Sequence, residues 1–134
     1  TKINTNENLI EIDFNYDYKL AHQMYMRSNY NKSLDKFKYL LENNISNDLA
    51  DNCQFWIAQI YFSKKEYKQA IEEFEKVLKY KDSNKKSEAV YKIGLSEIQL
   101  GNNDNAKKMF QIIINDYPKS KYFNEASEFL ITLK

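Results

Sequence analysis

Glycine and proline are scarce in this chain of 134 residues, which holds two glycines and one proline. A sheet protein with many tight turns needs more of both, so the shortage favours helices. Arginine is scarcer still among the cations: Arg27 stands alone, and every other basic residue is a lysine. Bidentate reading of phosphate or guanine draws on arginine. The 20 basic residues are also matched by 19 acidic ones, for a net charge of +1. Nucleic acid is therefore not an expected partner. Cys53 is the single cysteine, so no intramolecular disulfide can form. That suits the cytosol without barring export. No apolar run reaches the roughly 18 residues of a membrane span, and no secretory signal is present. The chain opens on Thr1, as a mature form or an excised domain would. One histidine and one cysteine, far apart, make no metal-ligand cluster, and no glycine-rich loop is there to cradle phosphate. A Ser-His-Asp triad would have to use His22, which lies on a helical face with Tyr18 and Tyr25, so no catalytic constellation emerges. No cofactor is expected.

What is present is apolar and aromatic: 43% of the chain is hydrophobic, and Phe, Tyr and Trp make up 15% of the chain. That is enough for a core. The stretch from Cys53 to Leu78 reads as two amphipathic helices joined at Lys64-Lys65-Glu66. Around it, helical periodicity and caps outline seven helices. The first begins at Tyr16 and closes at Ser28-Asn29. The second spans Asn31 to Asn43, the third Asp48 to Ser63, and the fourth Tyr67 to Lys79. The fifth is capped by Asp82 or Ser83 and stopped by Gly101. The sixth runs from Asp104 to just before Pro118, and the seventh, capped by Ser120, to Leu133. Residues 1–14 differ. Ile10, Ile12 and Phe14 alternate with Glu11 and Asp13, a period of two that reads as extended. This segment is either a linker end lying on the first helix or a strand-like piece that pairs with or plugs a groove.

The helices repeat. Ser33, Ala70 and Ala106 hold the same place in the second, fourth and sixth helices, 37 and then 36 positions apart, and each precedes a phenylalanine (Phe37, Phe74, Phe110) by four residues. In the first, third and fifth helices the matching small residues are Ala21, Ala58 and Gly94. Small side chains at such points let helices approach closely, so replacing Ala70 by leucine is expected to overpack the contact.

This pattern resembles the tetratricopeptide repeat, whose helix pair carries a small residue in each helix, a following aromatic, and a proline after the second helix; Pro118 supplies that proline in the third unit only. Ala50, Asn52-Cys53 and Phe55-Trp56-Ile57-Ala58-Gln59 look like a run in the C-terminal repeat domain of periplasmic Tol-Pal coordinator proteins (YbgF/CpoB type). Lys92-Ile93-Gly94-Leu95-Ser96 and Asp116-Tyr117-Pro118-Lys119-Ser120 share that style. Cys53, Ala58, Gln59 and Glu97 depart from it. Outer-membrane assembly lipoproteins of the BamD type carry similar repeats. The expected fold is an all-α, right-handed α-solenoid: residues 1–14 as an extended segment or linker, then units of about 15–46, 47–83 and 84–118 and a capping helix at 119–133.

The resemblance places one stripe of each first helix on a concave surface: Tyr18, His22 and Tyr25; Phe55, Gln59 and Phe62; Tyr91, Leu95 and Ile98. These rungs hold no lysine and no acid, which argues against a carboxylate clamp. Aromatic rows around a central amide suit an amphipathic peptide. The alternative is that the rows are core between superhelical turns, or are covered by residues 9–14. The groove reading requires Tyr18, Tyr25, Phe55, Phe62 and Tyr91 to be partly exposed, and Trp56, one residue past the stripe, to be largely buried. Cys53 is expected to be buried and unreactive. The function the resemblance implies is a non-catalytic scaffold for a protein or peptide partner in the bacterial cell envelope or periplasm. The alternatives are an outer-membrane assembly accessory and a self-association module.

Overall fold

The computed structural model describes residues 13–43 and 45–134. Seven helices follow one another: α1 (Phe14–Met26), α2 (Tyr30–Glu42), α3 (Asn47–Ser63), α4 (Tyr67–Val77), α5 (Lys86–Gln99), α6 (Asn103–Asp116) and α7 (Phe123–Thr132). No strand occurs among the described residues. Residues 1–12 of the expected extended segment lie outside them. Its last two residues are described: Asp13 is extended and caps α1, and Phe14 is the first residue of that helix. The Asp13 carboxylate accepts the Tyr16 N–H at 3.1 Å as an N-cap, so the helix starts at Phe14.

Each helix packs chiefly on its neighbours in sequence, with a lighter contact between α1 and α3. This is the all-α, right-handed solenoid of three helix pairs and a closing helix. The pairs meet at the small residues. Ala21, Ser33, Ala58, Ala70 and Ala106 are fully buried, as are Phe37, Phe74 and Phe110. The Ser33 hydroxyl donates to the Ala21 carbonyl at 2.7 Å, fastening α2 to α1 where the helices are nearest. Gln54 does the same for the next pair, its amide donating to the Glu73 carbonyl at 3.0 Å.

The joints repeat as well. The residue just past the C-cap of α1, α3 and α5 has positive φ: Ser28 at 63°, Lys65 at 64° and Gly101 at 82°. In each case the next N–H reaches back to a carbonyl one turn up: Asn29 to Met24, Glu66 to Tyr61 and Asn102 to Glu97, at 2.8–2.9 Å. Those are Schellman closures, and each hands the chain directly to the following helix. Only Gly101 adopts its backbone without a Cβ penalty. Lys65→Gly is therefore expected to raise stability by about 0.5–1 kcal/mol, read as a higher melting temperature.

Two helix starts come later than their caps suggest. The Ser83 hydroxyl accepts the Lys85 N–H, and the Ser120 hydroxyl accepts the Tyr122 N–H, both at 3.0 Å. A bond to the residue two ahead builds a turn rather than a helix cap, so α5 and α7 begin at Lys86 and Phe123. At its other end α4 stops at Val77, because Leu78, Lys79 and Tyr80 bond three residues back (3.1–3.2 Å) and tighten the chain.

Candidate interaction face

α1, α3 and α5 each carry one of the three stripes, and α1 meets α3. Tyr18, His22, Tyr25, Phe62, Tyr91, Leu95 and Ile98 are half-buried. Some of these side chains reach residues of the next unit. The Tyr25 hydroxyl lies 2.7 Å from the Ser63 hydroxyl on α3, and Tyr91 stacks on Tyr122 at 4.3 Å, just before α7.

Two rungs are not where the sequence placed them. Phe55 is only 2% exposed and Gln59 9%. Phe55 packs edge-on against Phe74 at 5.5 Å and against Trp56 at 5.6 Å, so it is core between α3 and α4. Gln59 turns its amide N–H groups to the Tyr25 hydroxyl (3.1 Å) and the Ser63 hydroxyl (3.4 Å), and its buried oxygen has no donor among the described residues. The middle unit is flanked on both sides, which explains why its stripe sinks deepest. In sequence all three stripes look alike, because helical spacing marks a face and not its depth.

Trp56 is mostly enclosed, packed against the core clusters of the first and second units, but keeps some exposed surface. It lies against Phe37 of unit one, nearly parallel at 6.5 Å, but also meets His22 edge-on at 4.6 Å and Tyr25 at 5.0 Å. It thus belongs to the face. The signal available in the sequence was its place beside Phe55, shared by Lys92 beside Tyr91. Lys92 sits over the Phe62 ring at 4.7 Å and Lys85 over Phe55 at 5.1 Å. Burial lowers the Lys92 pKa, the Glu88 carboxylate opposes that, and Lys121 adds to it.

Cys53 is fully buried in the unit-one core. Burial, then the Asp51 charge, push its thiol up to about 12. A thiol held neutral in the fold but ionising near its ordinary value when unfolded stabilises the protein fully below that value and progressively less above it. The window is pH 9 to about 12. The melting temperature is expected to fall across it less steeply for Cys53→Ala than for the parent, and native thiol labelling to be slow until denaturant is added. His22 lies in an aromatic setting, and no cluster of three metal-ligating side chains forms among the described residues.

Two family models described as tetratricopeptide repeat match this chain, at residues 52–84 and 88–120. The chain carries tetratricopeptide repeats. The first match runs from within α3 past the end of α4, and the second from within α5 past the end of α6. A curated relative of these repeats, the outer membrane protein assembly factor BamD of Rickettsia prowazekii (strain Madrid E), is 31% identical over 94 residues, 66% of this chain and 38% of that protein. The chain thus spans well under half the length of that relative. Among solved structures the fold is similar to the Yersinia enterocolitica type III secretion translocator chaperone SycD, with TM-score 0.71 and 16% identity over 92% of this chain and 94% of that one. It is also similar to a chain of a CopN-Scc3 complex, with TM-score 0.72 and 19% identity over 98% of this chain and 81% of that one. At such identities these structures speak for the fold.

Proposed function

We propose that the protein is a non-catalytic scaffold that binds a peptide or protein domain on the concave side of its repeats, in the bacterial cell envelope. The observation that carries the reading is that each of the three units leaves mostly aromatic and aliphatic stripe residues half-buried, Tyr18, His22 and Tyr25, then Phe62, then Tyr91, Leu95 and Ile98. Apolar surface left open in this way marks an interaction site. Phe55 and Gln59 support it from below; Tyr18, His22, Tyr25, Phe62, Tyr91, Leu95 and Ile98, with Trp56, form the contact surface. The envelope setting draws on the BamD relative, which also favours a second reading, an accessory of outer-membrane protein assembly.

The test is Leu95→Lys, which sets a charge in the middle of the strip. It is expected to melt within a few degrees of the parent and to lose capture of any envelope protein that the parent retains. Retention of the same partner at full strength would move the site to another face. Light scattering on the parent addresses the remaining alternative: a dimer that Leu95→Lys dissociates makes the strip a self-association surface.

A further inference from the structure

Lysines border the strip without belonging to it. Lys85, the N-cap of α5, and Lys92 within that helix stand seven residues apart, and Phe55 and Phe62 stand seven apart on α3. Each lysine covers one phenylalanine, at 5.1 and 4.7 Å. α3 and α5 therefore run parallel here, with the two ammonium groups at equal steps along the seam. Lys121 follows, over the Tyr122 ring at 5.3 Å. Among the described residues none of the three pairs with a carboxylate; the ion pairs there are Lys36–Asp17, Lys64–Glu66 and Lys76–Glu73. Glu88, between Lys85 and Lys92 in sequence, lies close enough to be felt at Lys92 but outside ion-pair distance. Among the described residues the seam therefore presents positive charge with no ion-pair partner beside apolar surface.

We propose that the seam between the second and third units takes an amphipathic helix of a partner protein that presents two carboxylates seven residues apart, one to Lys85 and one to Lys92. The inference rests on the concave-face reading above and adds the partner's chemistry. Two turns of helix rise about 10 Å, so residues at i and i+7 of an incoming helix match the same interval on α5. Its apolar stripe would lie on Phe62, Tyr91 and Leu95. Lys92 gains most, since burial disfavours its charge and a facing carboxylate restores it. The rungs themselves carry no cation, which is why the stripe alone gave no hint of this preference.

The probe is a displayed library of peptides of about 18 residues, long enough to hold a helix. The apolar stripe is fixed and the remaining positions vary among Glu, Gln, Lys and Ser. Selection on the parent protein is expected to enrich Glu pairs at i and i+7. A selected peptide should bind about tenfold more weakly to Lys92→Gln than to the parent, recover with Lys92→Arg, and lose affinity with added salt. Enrichment of peptides without paired acids, bound equally by Lys85→Gln and Lys92→Gln, would overturn the acidic preference and leave the concave-face reading standing. No enrichment over Leu95→Lys protein would overturn both. Blockage of the strip by a second copy, seen as a dimer that excludes the peptides, would overturn the acidic helix as occupant.

Discussion

Phe74→Ala is expected to lower stability by about 3–5 kcal/mol, the range for a large aromatic removed from a closed core. Phe74 has no exposed surface. Its ring meets Phe55 at 5.5 Å and Phe62 at 6.5 Å, and it shares a cluster with Ala58, Ala70, Val77, Ala89 and Ile93. That cluster joins α3 and α4 to α5. Because helices pack mainly on sequence neighbours, unit two is the principal link between unit one and unit three. In a chain of nearest-neighbour interfaces, weakening the middle unit lowers both its own stability and the coupling it provides. Urea unfolding of Phe74→Ala should thus show a lower midpoint and a shallower or split transition. A parallel shift with unchanged slope would mean that the end units hold together by some other route. Phe37→Ala, in the first unit, should shift the midpoint with less loss of slope.

Much of this architecture was legible in residue types. A small residue four before a phenylalanine, three times at near-constant spacing, located the close contacts, and every one of those residues is buried. The positive-φ joints were legible only at Gly101. Ser28 and Lys65 take the same backbone with ordinary side chains, so composition hid two of three. Depth was the larger gap. Phe55 and Phe62 have identical side chains two turns apart on α3, yet the first is sealed and the second half-open. Phe55 packs on Phe74 and Trp56 beneath Lys85, whereas Phe62 lies further along between Phe74, Tyr67 and Lys92. That difference comes from how the next helix crosses, which no local pattern records. The neighbouring rows were hidden for a related reason: Trp56 and Lys92 are one residue off the stripe, and only packing showed that they share its surface.

Gly94 gives the sharpest test of the close contact. Alanine is the better helix former by about 1 kcal/mol, and Gly94 is in the interior of α5, so propensity alone favours Gly94→Ala. Packing opposes it. A Cβ built there would lie 2.6 Å from Phe110 Cε1 and 2.8 Å from Cζ. A free ring could swing aside, but Phe110 is fully buried, stacked on Phe129 at 4.7 Å and 10°, with Tyr91 6.0 Å away. Relief would have to move α6 from α5 or disturb the seat of α7. Overpacking of this kind costs about 1–3 kcal/mol, so the net effect of Gly94→Ala is expected to be destabilising, and that of Gly94→Leu larger still. Phe110→Leu alone should also destabilise, through the space it opens. The double variant Gly94→Ala with Phe110→Leu should be more stable than the sum of the two single changes allows, by about 0.5–3 kcal/mol of coupling. Strict additivity, or a Gly94→Ala protein more stable than the parent, would show that the ring yields and that the glycine is not required for α5 to meet α6.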